Sequence, residues 1–319
     1  MGKPLKSNSL RSNWKINCLI FSVIAVNFTT LAFSAPCCGG TANIPSLISG
    51  DDSAQFTTTV ISSQVVAEAP VGGGVKYRKP NDSEVAQTLK FDAATLISDR
   101  WQTGISIPLT RRSRSRTTEA TASGIGDVSL NIGYEALPDW TYSAWRPKGI
   151  VFLTTTFPTG GSIYDAKELY RIDSRGRGFY SLSGGLLLLK NWGVWDTSLV
   201  MEAHRPFTRT ITNETGELRL IPGWGTSGSV SVGISPLSGD LRIGISLSPS
   251  YDSAITTEGV ISGQGEKVIL WNSAAQLSYM ANENLSMSLT YSDQTFIKAS
   301  DNSALNRTLA FLVQKRWER

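Results

Sequence analysis

The sequence predicts an all-β protein: a single antiparallel transmembrane β-barrel of about twelve strands, with short periplasmic turns and long external loops. Three observations predict it. Apolar and polar residues alternate over much of the chain, as where Val128, Leu130, Ile132 and Tyr134 interleave with Ser129, Asn131, Gly133 and Glu135. Successive side chains of a strand point to opposite faces, so each such run has one apolar and one polar side. The connections alternate between long and short, which a soluble sandwich does not require and a membrane barrel does. Six tryptophans, Trp101, Trp140, Trp145, Trp192, Trp195 and Trp317, fall at the same predicted end of the strands, where amphipathic rings suit a membrane interface.

The first 35 residues read as a signal peptide. Lys3, Lys6, Arg11 and Lys15 form a basic start, residues 16–33 are largely apolar, and Ala32 and Ser34 are small residues at a cleavage site. The competing reading is an uncleaved anchor, weakened by Asn27, Thr29 and Thr30 inside the apolar stretch. The leader holds four basic residues and no acid. Of 30 Lys+Arg and 26 Asp+Glu, the remainder is therefore balanced, and charge gives no case for nucleic acid as a partner.

Residues 36–52 read as an irregular periplasmic segment that carries Cys37-Cys38-Gly39-Gly40. The barrel is expected over 53–319. Strands are predicted at 53–67, 84–97, 101–112, 126–137, 149–158, 179–190, 193–205, 225–235, 240–250, 267–280, 285–297 and 306–317. Alternation is clearest late in the chain, where Leu241, Ile243, Ile245 and Leu247 are offset from Arg242, Gly244, Ser246 and Ser248. The polar faces are rich in Ser, Thr and Gly, as a narrow polar lumen requires. Gly124-Ile125-Gly126-Asp127 should enter a strand at the external rim, with positive φ or a bulge at glycine. Tyr134 should reach the periplasmic girdle beside Trp140 and Trp145, and Pro158-Thr159-Gly160 should return the chain to the external side.

Gly124-Ile125-Gly126-Asp127-Val128-Ser129-Leu130, followed by a strand that ends in Phe157-Pro158-Thr159-Gly160, resembles the outer-membrane β-barrel transporter family associated with the meta pathway of phenol degradation. The resemblance is clearest over about 40 residues. It implies a barrel of about twelve strands in the cell outer membrane that acts as a transporter. It supplies no catalytic residue. Cys37-Cys38 is not part of the pattern, and Trp317 is followed by Glu318-Arg319 where a terminal aromatic is usual.

Several residues carry candidate chemistry. His204, the single histidine, is followed by Arg205-Pro206 and not by the serine spacing of a barrel phospholipase, so it reads as a loop-end or lumen residue. No catalytic residue and no cofactor is expected. Cys37 and Cys38 could bind a soft metal such as Cu(I), form a disulfide or remain unspecialised; Pro36 makes a poor acylation site. Arg111, Arg112, Arg114 and Arg116 are placed on an external loop, suited to the phosphates of lipopolysaccharide or, as the plainer alternative, to solvent and Glu119. Lys90, Asp92, Asp127, Glu135, Glu202 and Arg242 lie on polar faces. They either fill the lumen as ion-paired ladders or line a pore and set its selectivity.

The expected function is a passive channel or transporter for a small solute. The alternatives are a structural or adhesive surface barrel acting through its loops and, less favoured, a barrel enzyme. Expected partners are membrane lipid, lipopolysaccharide, the barrel assembly machinery and a small-molecule solute.

Overall fold

The structure, a computed structural model, describes residues 45–140, 143–213, 216–237, 240–259 and 262–319; Cys37, Cys38 and the leader lie outside the described residues. Twelve strands form the barrel: β1 (Asp52–Ala69), β2 (Ser83–Leu96), β3 (Trp101–Ser115), β4 (Val128–Leu137), β5 (Lys148–Phe157), β6 (Ser181–Trp192), β7 (Trp195–Pro206), β8 (Gly225–Leu237), β9 (Leu241–Asp252), β10 (Val268–Asn282), β11 (Leu285–Asp293) and β12 (Ser303–Glu318). Each strand pairs antiparallel with the next, and β12 returns to β1 with Phe311 opposite Val60 and Thr308 opposite Ser63. Closure matters because an open strand edge in hydrocarbon leaves peptide groups without partners. The fold is the twelve-stranded antiparallel barrel that the alternation predicts.

The side-chain distribution is inverted relative to a water-soluble barrel. On β8 and β9, Val230, Val232, Ile243 and Ile245 face outward and are exposed, Ile245 by 67%. Between them, Ser229 and Arg242 face inward and are buried. On β11, Ser286, Ser288 and Thr290 are buried while Leu289 and Tyr291 are exposed. An apolar belt that runs around every strand far exceeds the patches that water-soluble monomers tolerate. Lipid is the solvent that makes this arrangement favourable.

One end of the barrel carries the chain entry at Asp52, the exit at Glu318 and the turns near 97–100, 193–194 and 283–284. It is called the terminal end here, and the opposite one the distal end. Exposed Trp101, Trp140, Trp145, Trp192, Trp195 and Trp317 gather at the terminal end, as the sequence predicts. Trp192 pairs across a tight turn with Trp195. Trp101 packs on Tyr134 at 4.8 Å between ring centroids, and the Arg100 guanidinium sits over the Tyr134 and Trp140 rings. The distal end has a second aromatic set, including exposed Tyr180 and Trp224.

Three expected loops contain strands. The predicted connection 113–125 is almost entirely strand. β3 runs on to Ser115 and pairs with a strand at Glu119–Ile125, leaving only 116–118 at the tip. Arg111, Arg112 and Arg114 therefore lie on a strand, Arg111 on the outer face and Arg112 and Arg114 on the inner one, contrary to the loop placement. The long connections 207–224 and 253–267 also fold. Arg209–Asn213, Gly216–Ile221, Thr256–Gly259 and Gly263–Gln264 form a separate four-stranded sheet at the distal end. Ile211 and Leu220 of this sheet are buried against Phe179.

Gly126-Asp127 marks a bulge. Leu109 pairs with Ile125 while Ser106 pairs with Ser129, so the register slips by one residue between them. Pro108 sits at the slip, has no N–H to give, and accepts from the Gly126 N–H at 2.8 Å. Of the two expected roles for the glycine, the bulge is the one observed. Gly126 does not take positive φ. A side chain there would press on Pro108 at 3.0 Å and on the Arg175 carbonyl at 3.2 Å.

Candidate functional site

The site is the barrel interior, which divides into three levels. At the terminal end the lumen is filled by the chain's own residues. Ser46, Leu47 and Ile48 are each less than 8% exposed, although they precede the first strand. Inward-facing amides hold their backbone. Gln102 accepts from the Ile48 N–H at 2.5 Å and donates to the Ile48 carbonyl at 3.2 Å. Gln55 donates to the Leu47 carbonyl at 3.0 Å and Asn131 to the Ser46 carbonyl at 2.9 Å. The Leu47 side chain meets an apolar patch of the inner wall made by Ile150, Phe152, Leu187, Leu189 and Val200. An apolar patch inside a polar lumen is otherwise unfavourable, so the patch and the segment explain one another. Residues 45–50 form an internal plug.

Toward the same terminal end, Arg242 is 1% exposed and lies against Asp196, with contacts of 2.6 and 2.8 Å, and against Gln276 at 3.0 Å. Gly233 and Gly244 make room for it, since a side chain at either would meet the guanidinium. Two-pronged pairing with hydrogen bonds on a third side is what a buried guanidinium requires. Lys148 and Glu135 stand 3.5 Å apart toward the same end.

Above the plug is a cavity of about 740 Å³, with Pro45 in its lining. Hydroxyl and amide side chains dominate its wall, among them Ser63, Thr88, Ser129, Thr154, Ser183 and Asn306. Lys90, Asp127 and Glu202 line it; Asp92, 3.0 Å from Lys90, is buried. Of the six charged residues singled out in the sequence, three thus reach the cavity. Arg242 and Glu135 lie nearer the terminal end with their own counter-charges.

The third level is a loop folded into the distal mouth. Residues 174–179 reach the cavity wall, and Asp127 anchors them. Its carboxylate accepts from the Arg177 N–H at 2.7 Å and the Gly160 N–H at 3.0 Å. Thr159 completes the clasp, donating to the Gly126 carbonyl at 2.6 Å and accepting from the Val128 N–H at 3.0 Å. The Gly-Asp and Pro-Thr-Gly stretches are thus two halves of one latch. Arg112 donates to the Ser174 carbonyl at 2.6 Å and to Glu84 at 2.6 Å. Arg177 reaches across to Asp252 at 3.0 Å, and His204 meets the same carboxylate at 2.7 Å. His204 is therefore a lumen residue engaged with a charged pair.

Sequence reasoning missed Asp196, Arg177, Asp252, Gln102 and Asn131. Asp196 falls within the predicted strand at 193–205, but nothing in the sequence names its partner. The amides carry no charge to draw attention. Their inward parity was visible, but a partner in the segment before the barrel was not.

The latch gives a first prediction. Asp127→Ala removes two hydrogen bonds to a carboxylate, each worth about 1.5–3 kcal/mol. The loop should become accessible to protease near Arg175 and Arg177 while the barrel keeps its heat-modifiable migration on gels. Unchanged cleavage would show that Arg112 and Arg177 hold the loop without the latch.

A second prediction concerns acid. Asp82, in the connection between β1 and β2, receives hydrogen bonds from Arg114, which hold its carboxyl below the ordinary carboxylate value. A lowered folded pKa means stabilisation that is present above the unfolded value and lost as pH falls through the folded one. Hydrogen exchange in the 109–125 hairpin should be constant from neutral pH down to about 5, corrected for intrinsic rates, and rise below about 4. Asp82→Asn should abolish that rise; a rise unchanged in Asp82→Asn would assign it to another group.

The inverted side-chain pattern, closed twelve-stranded wall and polar interior define a transmembrane β-barrel with a plugged lumen. Solved structures of the same architecture exist. An outer membrane channel from Pseudomonas putida F1 superposes with a TM-score of 0.70 at 12% identity, over 88% of this chain and all of that one. The transport unit of the autotransporter AIDA-I from Escherichia coli gives 0.50 at 8% identity, over 87% and 94% of the two chains. These likenesses establish the fold. No family model matches the sequence, and no curated protein matches it.

Proposed function

We propose that this chain is an outer-membrane channel for a small, hydroxyl-bearing solute, gated by its own N-terminal plug. The observation that carries the reading is the cavity of about 740 Å³ lined by hydroxyls, amides and charged side chains of both signs, among them Lys90, Arg112, Arg177, Asp127, Glu202 and Asp252. Such a wall replaces water hydrogen bonds for a polar solute. The resemblance to the phenol-pathway transporter family brings phenolic solutes within scope, since they carry a hydroxyl on an apolar ring. The distal end is then external and the tryptophan-rich terminal end periplasmic. Lys90 and Glu202 face the solute as a selectivity pair, and passage needs no catalytic residue or cofactor.

The test is liposome swelling with purified protein. Small hydroxylated solutes should enter faster through protein lacking residues 36–50 than through the intact chain, and large oligosaccharides should enter through neither. Equal exclusion of every solute by both proteins would refute the channel. That outcome would favour the second reading, a surface barrel acting through its distal sheet, for which the buried Phe179, Ile211 and Leu220 cluster is the supporting observation. Membrane insertion would in either case use the barrel assembly machinery. Cys37 and Cys38, near the start of the plug in sequence, remain candidates for soft-metal binding in the periplasm or lumen; their replacement by Ser should leave flux unchanged if the plug alone closes the channel.

A further inference from the structure

Of the four arginines in the 111–116 stretch, Arg112 and Arg114 point inward to Glu84 and Asp82. Arg111 has the opposite parity. It faces outward, is exposed, and makes no ion pair among the described residues. Its surroundings are ordered by strand register. Val60, Leu89, Leu109 and Ile125 stand directly opposite one another across β1, β2, β3 and the Glu119–Ile125 strand. They form one apolar row on the outer face. Two residues further toward the distal end, Ser62, Gln87, Arg111 and Ser123 form the next outward row by the same pairings. On these four strands the outward row changes from apolar to polar in that single step, while on the neighbouring β12 the residue opposite Ser62 is the exposed Leu309. The edge of the hydrocarbon layer must fall there, because apolar rows are stable in lipid and an unpaired guanidinium is not. Arg111 is thus held at headgroup depth. A groove of about 610 Å³ runs along these same two rows.

We infer that this groove is a binding site for a phosphorylated outer-leaflet lipid, the lipid A moiety of lipopolysaccharide. A phosphate would sit on Arg111, with Gln87, Ser62 and Ser123 supplying further hydrogen bonds. An acyl chain would lie along Val60, Leu89, Leu109 and Ile125. Guanidinium forks suit phosphate, and at the edge of the hydrocarbon layer the pairing is weakly screened. Arg112, Arg114 and the exposed tip residue Arg116 take no part. The site rests on the proposed outer-membrane placement, with the distal end external.

Native mass spectrometry of the full-length protein in detergent tests it, titrating with bisphosphorylated lipid A, dephosphorylated lipid A and phosphatidylglycerol. Wild type should prefer bisphosphorylated lipid A. Arg111→Gln should bind it about tenfold more weakly, the loss expected for one hydrogen-bonded charge contact. Arg111→Lys should keep part of the affinity, and Arg116→Gln should match wild type. Gln87→Leu reads the same row if Arg111→Gln does not fold. Equal binding of lipid A by wild type and the folded row variants would overturn the site, as would equal binding of phosphatidylglycerol and lipid A by wild type. Fractionation of cells expressing the protein tests the placement separately. Protein found outside the outer-membrane fraction would overturn the proposed function, whereas unchanged binding by the Arg111 variant in correctly located protein would overturn the lipid site alone.

Discussion

Replacing Leu47 with Ala is expected to raise the open probability of the barrel in planar bilayers by roughly thirtyfold, from the loss of about 2 kcal/mol of buried side-chain packing that favours the plugged state. The direction follows from what Leu47 covers. Ile150, Phe152, Leu187, Leu189 and Val200 form an apolar patch on the inner wall, and Leu47 is the side chain of the plug that packs on it. Removing the contact weakens the plugged state and leaves the barrel wall intact. The hydrogen bonds from Gln102, Gln55 and Asn131 hold backbone atoms of residues 46–48 and survive the substitution. The variant should therefore flicker between closed and open and not stand permanently open. Gln102→Ala together with Asn131→Ala should act in the same direction by another route, through lost anchors. Single-channel recordings of purified protein check both. An unchanged open probability in both variants would mean that the plug is held by something other than these contacts.

The second large effect is expected at Arg242. Asp196→Ala leaves a guanidinium that is 1% exposed without its counter-charge, a change that costs about 3–5 kcal/mol in comparable buried pairs. The barrel should lose its heat-modifiable folded band at a clearly lower temperature than wild type. Arg242→Met in the same background removes the stranded charge and should restore much of the loss, since replacing a whole buried ion pair by apolar groups is often close to neutral. Failure of the double variant to recover would show that Gln276 and the space made by Gly233 and Gly244 depend on the guanidinium itself. The readout is the temperature at which the compact band disappears on unheated-to-heated gel series.

Much of the barrel was legible because lipid imposes a strict pattern. Each of the twelve strands has an outward row that must be apolar, and a period of two survives in Leu241–Leu247 or Leu285–Tyr291 without help from tertiary structure. The terminal-end tryptophans were legible for the same reason, as interface residues tied to turn positions. The interior was less legible because inward side chains are chosen by their partners across the lumen. Arg242 could be placed on the inner face from parity, but Asp196 could not be matched to it from sequence. The plug was hidden because residues 45–50 lack alternation. Its signal was indirect: Ile150, Phe152, Leu187 and Leu189 are apolar on a face that should be polar. The run Leu186–Leu189, apolar on both faces, is the place where that conflict shows. The arginine stretch misled because a dense basic run reads as a loop, whereas parity along a continuing strand sends Arg112 and Arg114 inward to Glu84 and Asp82 and only Arg111 outward. The Gly124–Gly161 stretch was recognised as a motif. Its work as the latch that holds residues 174–179 in the mouth required Asp127 to meet the Arg177 N–H, fifty residues away.

The most direct test of a polar channel closed by its own chain is single-channel conductance of the intact protein beside protein lacking residues 36–50, with heat-modifiable migration measured on both. The structure predicts a closed or briefly flickering intact barrel and a steady, ohmic conductance for the truncated one, with both barrels folded. A folded truncated barrel that conducts no better than the intact chain would contradict it.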